Sequence, residues 1–203
     1  MIRHHPSEAT LVAYVAGTLP EPHNRTVAVH LALCQDCAAA LQDLTEIGGA
    51  LIDGIEPSSL PPDALARILA RLDAPPRPDP LPPAVTLEGI AVKRWRWTGP
   101  GIAMMPLIAR DRSGTRLDLI RVAPGTGLLH HGHSGFETTC VMQGSYDDGL
   151  ERYAAGDFAE SDAGELHRPM AEPGADCICL MATTGTLRPT GLIGRLIRPL
   201  LGM

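Results

Sequence analysis

No block of the chain is rich in lysine or arginine, and the 203 residues carry a net charge of −6. Phosphate contacts need a basic surface, so this balance weighs against direct nucleic-acid binding. Long hydrophobic runs are also missing. None approaches the roughly 20 apolar residues that span a bilayer, and no apolar stretch follows the opening Met1-Ile-Arg-His-His-Pro6, as a signal peptide would require. Aromatic residues are few, at 3%, while the hydrophobic fraction of 44% still affords an ordinary core. Five cysteines, an odd number that includes a Cys-x-x-Cys pair, do not make a disulfide framework. They fit a reducing compartment, and the cytoplasm is the expected location.

Proline is concentrated in one place. Residues 74–83, Ala-Pro-Pro-Arg-Pro-Asp-Pro-Leu-Pro-Pro, have a density no helix or central strand accepts. They read as a stiff, extended linker that divides the chain. Before it the pattern is helical. Ser7 is a candidate N-cap for a first helix over 9–16, stopped by Gly17 and Pro20, and Glu21-Pro22 opens a second helix through Val27, Val29 and Leu31. A third begins near Cys34 and carries Leu41, Leu44, Ile47 and Leu51. A fourth follows Pro61-Pro62-Asp63, with Leu65, Ile68, Leu69 and Leu72 as an i, i+3, i+4, i+7 stripe. After the linker, short apolar runs at 85–97, 102–110, 116–122, 138–142 and 177–182 alternate with Gly/Pro/Asp turns, the pattern of a sandwich or barrel. The final segment, 191–203, is apolar but broken by Arg195, Arg198 and Pro199, and reads as a closing strand or docking segment. The fold class is therefore multidomain: an all-α unit over 1–73, a linker over 74–84 and an all-β unit over 85–203. Residues 1–73 hold nine acidic and four basic side chains, so most of the net charge lies there. That fits either a solvated surface or complementarity to a basic partner such as a DNA-binding protein.

Two sets of metal-ligand residues stand out. In His30-x-x-x-Cys34-x-x-Cys37 the three positions lie within roughly 60° on one helix face, provided the chain does not turn sharply at Leu33-Cys34. With His4 or His5 as a fourth donor they make a tetrahedral zinc site of two thiolates and two imidazoles. A small helical unit has a thin core, and zinc would supply much of its folding free energy. A redox Cys-x-x-Cys is the other option, but the βαβ pattern that accompanies one is absent. His23 reads as a surface residue. In the second set, His131 and His133 point to one face of a strand. Glu137 would lie about 13 Å beyond them on a straight strand, so the chain must bend at Ser134-Gly135 to return the carboxylate. His167 arrives from another strand. Three imidazoles and a carboxylate suit Zn, Fe, Mn, Ni or Cu. His130 should face outward, and Met170 is near enough in sequence to sit by the metal. Cys140 reads as a buried thiol. Cys177 and Cys179, on one strand face, are candidates for a sensing pair.

The residues around each set carry a resemblance. His30-x-x-x-Cys34-x-x-Cys37 with an upstream histidine is similar to the zinc-binding domain of anti-sigma factors that clamp extracytoplasmic-function (ECF) sigma factors. Gly125-x₅-His131-x-His133-x₃-Glu137-x₆-Gly144 matches the first motif of cupin barrels. Gly156-x₅-Asp162-x-Gly164-x₂-His167 resembles the second, with Asp162 where proline is usual and Ala171 where asparagine is usual. In this order, with Arg3-His-His5, Ala13-Tyr-Val-Ala-Gly-Thr-Leu19 and Asp176-Cys-Ile-Cys-Leu180 besides, the chain resembles the ChrR-type anti-sigma factors over nearly its whole length.

The resemblance implies zinc on His5, His30, Cys34 and Cys37. It implies a cupin metal, zinc before Fe, Mn or Ni, on His131, His133, Glu137 and His167. It implies a regulator, not an enzyme, in which the helical unit binds and inhibits an ECF sigma factor. The barrel would be required for release on oxidative stress, from singlet oxygen or an organic hydroperoxide, with the linker as the route between the two units. The competing expectation is a metal-dependent cupin enzyme, a dioxygenase or isomerase, with a helical appendage for oligomerisation.

Overall fold

Ser7 starts the first helix as a cap. Its Oγ accepts the Thr10 amide at 3.2 Å, and α1 spans Glu8–Val15 before Gly17, at φ 65°, turns the chain. Pro22 lies in the first turn of α2 (Glu21–Leu33), where a missing N–H breaks no bond. Cys34 then leaves helical geometry, at φ −113° and ψ 107°, and caps α3 (Gln35–Asp53). The His30-x-x-x-Cys34-x-x-Cys37 motif thus spans the break between the second and third helices, which was expected near Cys34. Its donors sit on a helix hairpin, because Cys34 takes up the extended cap conformation and its Sγ accepts the Cys37 amide. α4 covers Ala64–Leu72. The computed structural model describes residues 1–72, 94–112 and 114–190. The proline-rich linker, the start of the 85–97 strand and the 191–203 segment lie outside them.

Twelve strands follow among the described residues. They are β1 Arg96–Gly99, β2 Ile102–Ile108, β3 Arg116–Val122, β4 His131–His133, β5 Glu137–Gln143, β6 Ser145–Asp147, β7 Arg152–Ala154, β8 Phe158–Ser161, β9 Leu166–His167, β10 Met170–Ala171, β11 Cys177–Thr183 and β12 Leu187–Pro189. A six-stranded antiparallel sheet runs β1-β2-β3-β11-β5-β8, and two three-stranded sheets run β10-β6-β7 and β12-β4-β9. Strand alternation sorts the long strands into two faces. Ile120, Val122, Val141, Cys177 and Met181 turn to the barrel interior with Tyr146. Leu117, Leu119, Cys140, Leu180 and Ala182 turn the other way and join Leu11, Val27 and Val29 of α1 and α2 in a single core. Helices α1 and α2 therefore pack on the outer face of the large sheet, and the two halves meet directly through them.

His23 shows how close that packing is. It is 1% exposed, with Nδ1 3.0 Å from Thr138 Oγ1 and Nε2 2.8 Å from Thr184 Oγ1. Thr26 Oγ1 meets the same Thr138 hydroxyl at 2.6 Å. The expected surface position of His23 is corrected by this contact. Its partners, Thr138 of β5 and Thr184 just after β11, lie more than a hundred residues away, which nothing in the local helix pattern announces. Burial pushes the imidazole down to about 4 from its ordinary 6.5. The neutral ring is the folded form, so its contribution is complete above pH 6.5 and is lost as pH falls to about 4, by about 3 kcal/mol in all. His23→Ala should lower stability at pH 7.5 by about 2–4 kcal/mol and flatten the acid limb of urea midpoint against pH. An acid limb unchanged in the variant would show that the ring does not titrate with folding.

Candidate metal centres

The first cluster lies where the N-terminal segment crosses the α2–α3 hairpin. His30 is in the last turn of α2, Cys34 at the junction and Cys37 in the first turn of α3. His5 Nδ1 stands 3.4 Å from Cys34 Sγ and 3.2 Å from Cys37 Sγ, and His30 Nε2 stands 3.3 Å from Cys37 Sγ. Sulfur and nitrogen donors held tetrahedrally at about 2.3 and 2.0–2.1 Å from zinc would be about 3.5 Å apart, close to what is found. All four donor atoms lie within 4.8 Å of one another. Of the two histidines left open by the sequence, His5 joins the thiols. His4 turns away to Tyr153, with ring centroids 4.5 Å apart. His30 Nδ1 donates to the Gly156 carbonyl at 2.9 Å, which leaves Nε2 as the free lone pair. Burial and then the neighbouring Cys34 push the Cys37 thiol up to about 12. Without a cation this pocket opposes a thiolate, and a bound cation reverses that preference.

The second cluster lies inside the barrel. β4 carries His131 and His133, and β9, paired with β4, brings His167 opposite His131. His167 Nε2 is 2.9 Å from His131 Nε2 and 3.1 Å from His133 Nε2. Nitrogens bonded at 2.0–2.1 Å and about 90° apart around one ion would be separated by about 2.9 Å, so both contacts of His167 fit neighbouring positions around one ion. His131 Nδ1 donates to Leu129 O at 2.7 Å and fixes its tautomer. Burial pushes His131 and His133 down to about 4, so both are neutral at physiological pH, the form that can ligate a metal.

The predicted bend occurs at Ser134 and Gly135, where any Cβ on Gly135 would sit 2.6 Å from Thr184 O. It brings Glu137 back to His133, but against Nδ1, with Oε2 at 3.4 Å. Thr183 Oγ1 donates to the same oxygen at 3.3 Å. The carboxylate thus stands behind His133, while the three Nε2 atoms converge on the other side. Burial pushes it up to about 7.

A cavity of about 60 Å³ adjoins this site, walled by His131, His167, Glu137, Tyr146, Cys179 and Met181 among others. Cys177 and Cys179 both line it, with their sulfurs 3.6 Å apart. The contact holds Cys177 below the ordinary thiol range and pushes Cys179 well above it. Cys140 is buried on the opposite face, as expected. His130 faces out, bonded to Thr190 Oγ1 at 2.8 Å. Met170 is exposed and pairs with Asp147, and Met181 takes the place at the cavity wall expected of it. Ala171, at the position where cupins commonly have asparagine, is buried in that wall. Sequence reasoning missed Tyr146 and the Gly156 carbonyl. Gly156 was in view only as a motif glycine.

Residues 86–187 match the model of the ChrR cupin-like domain. The whole chain is 38% identical to the anti-sigma-E factor ChrR of Cereibacter sphaeroides, over 98% of this chain and 97% of that one. The chain belongs to the ChrR family of anti-sigma factors. ChrR in the crystal structure of the Rhodobacter sphaeroides SigE complex superposes with a TM-score of 0.76 at 38% identity, over 90% of this chain and 99% of that one. The relationship is thus to a regulatory protein across both halves, and the fold of helices followed by a cupin-like barrel is the ChrR fold. Metal counting tests the geometry. Wild type should carry two ions per chain and His131→Ala one. Two ions retained by His131→Ala would remove the three-histidine cluster as a site.

Proposed function

We propose that this chain binds and inhibits an ECF sigma factor through its N-terminal helices, and that its metal-bound barrel is required for release under oxidative stress. The observation that carries the partner half is an uncovered apolar stripe. In α4, Leu65, Ile68, Leu69 and Leu72 are 53–74% exposed, and Ile47, Leu51 and Ile52 of α3 are exposed beside no described partner. Such a surface is a protein-binding face rather than a stable solvent face. The complex of the related ChrR with SigE supports a sigma factor as occupant. The acidic surplus of residues 1–73 suits a basic, DNA-binding partner.

In this reading residues 1–73 are the inhibitory unit, 74–84 the linker and 85–203 the sensor. His5, His30, Cys34 and Cys37 hold zinc, which supplies a crosslink that fixes the hairpin. His131, His133 and His167 hold the second ion, zinc ahead of iron, manganese or nickel, with Glu137 ligating or orienting His133. Cys177 and Cys179 are the candidate sensing pair, because both sulfurs face the cavity next to those imidazoles. Singlet oxygen or an organic hydroperoxide acts there. Five free cysteines and the absence, among described residues, of a helix able to cross a membrane accord with a cytoplasmic location.

Co-expression with the candidate sigma factor and pull-down tests the first half. Ile68→Glu should reduce capture at least tenfold with an unchanged melting temperature, and Cys34→Ala should abolish it. Undiminished capture by both variants would overturn the assignment. Glu137→Ala or His167→Ala should still capture the sigma factor but should blunt induction of its target promoter by peroxide or photosensitised oxygen. Normal induction in both would remove the barrel as sensor.

A further inference from the structure

The N-terminal segment is laid along the barrel and not along the helices whose metal site it completes. Asp157, 2% exposed, sits in the turn between β7 and β8. Its Oδ1 accepts the amides of Arg3 and His4 at 2.7 and 3.2 Å, and its Oδ2 accepts Ala154 N at 2.8 Å within the turn. Phe158 N donates to His4 O at 3.0 Å, and Ser7 N to Glu160 Oε1 at 3.1 Å. His4 Nε2 lies 3.1 Å from Arg152 O. Ile2 covers Gly156, where an added Cβ would stand 2.8 Å from its Cγ1. These contacts hold residues 2–7 as an added edge against the turn, with His5 aimed at Cys34 and Cys37.

The same turn supports the second imidazole. The Gly156 carbonyl, one residue before Asp157, takes the Nδ1 proton of His30, and the Phe158 ring meets the His30 ring edge-on at 5.4 Å. The two thiols belong to the hairpin alone. Both histidines are oriented by one three-residue stretch of barrel, from Gly156 to Phe158.

We infer that the β7–β8 turn of the barrel is a working part of the N-terminal metal site: Asp157 positions His5 through the backbone of residues 3 and 4, and the Gly156 carbonyl positions His30. The inference rests on reading His5, His30, Cys34 and Cys37 as metal ligands. Its consequence is linkage. The ion in the helical unit holds the barrel docked, and the docked barrel holds the ion, by the same coupling free energy. Groups that orient a ligating imidazole from behind change metal affinity by about 10–100-fold when removed.

Cobalt substitution of the full-length chain separates the sites, since only the first has thiolates and so a thiolate-to-cobalt charge-transfer band. Asp157→Ala removes the acceptor, and Arg3→Pro removes one donor while leaving the turn intact. Each should speed loss of that band to a chelator about tenfold or more, and the double variant should be no faster than the quicker single one. Arg3→Pro alone decides if Asp157→Ala does not fold. Wild-type release from Arg3→Pro, with fast release from Cys37→Ala, would overturn the inference and leave the metal site standing. If the Cys34→Ala/Cys37→Ala double variant keeps the band, the site itself falls, and the inference with it.

Discussion

The docking of α2 on the outer face of the large sheet is the contact that brings the helical half and its His/Cys cluster against the barrel. It is a consequence of strand periodicity. Alternate residues of β3, β5 and β11 point to opposite sides, and in this chain both sides are apolar or paired. Leu117, Cys140, Leu180 and Ala182 need a cover on one side as much as Val122, Val141 and Met181 need the barrel interior on the other. Helices α1 and α2 are that cover, and the sheet in turn gives them a core they are too few to build alone. Where polar groups enter this layer they are matched: His23, Thr26, Thr138 and Thr184 close a buried hydrogen-bonded set in which an imidazole has a partner at each nitrogen.

The elements were readable from sequence where their signals are local. A serine cap, a proline in a first turn and a 3.6-residue stripe mark the four helices, and short apolar runs between Gly/Pro/Asp turns mark β2, β3, β5 and β11. Both ligand sets were also readable, because the spacing His-x₃-Cys-x₂-Cys and His-x-His is itself the geometry of a hairpin end and a strand face. The short strands β6, β7 and β10 were not, since two or three residues carry no measurable period. Neither was the position of Glu137. Parity gives the face a side chain is on, and only the bend at Ser134-Gly135 decides that its carboxylate meets Nδ1 of His133 and not the side where Nε2 converges.

The misplacement of His23 has the same origin as the expectation that the linker joins the two units. A proline-rich stretch marks where a chain stops being regular, and it says nothing about which surfaces touch across it. Burial of a polar side chain with distant partners is a tertiary fact. The sequence around His23 is compatible with an exposed helix start, and the difference lies wholly in Thr138 and Thr184.

The two sites are therefore separated by less than the length of the chain between them suggests. On β5, Glu137 faces His133 in the interior, and Thr138, its neighbour, faces His23 and Thr26 of α2 on the outside. One strand has the cavity on one face and α2 on the other. Elsewhere on the cavity wall, Tyr146 stacks on Tyr153 at 5.0 Å, and Tyr153 meets His4, next to His5. A close-packed interior does not absorb displacement gradually. A change of position at the cavity wall must therefore be matched on these outer contacts, which hold α2 and the N-terminal segment and, with them, His30 and His5.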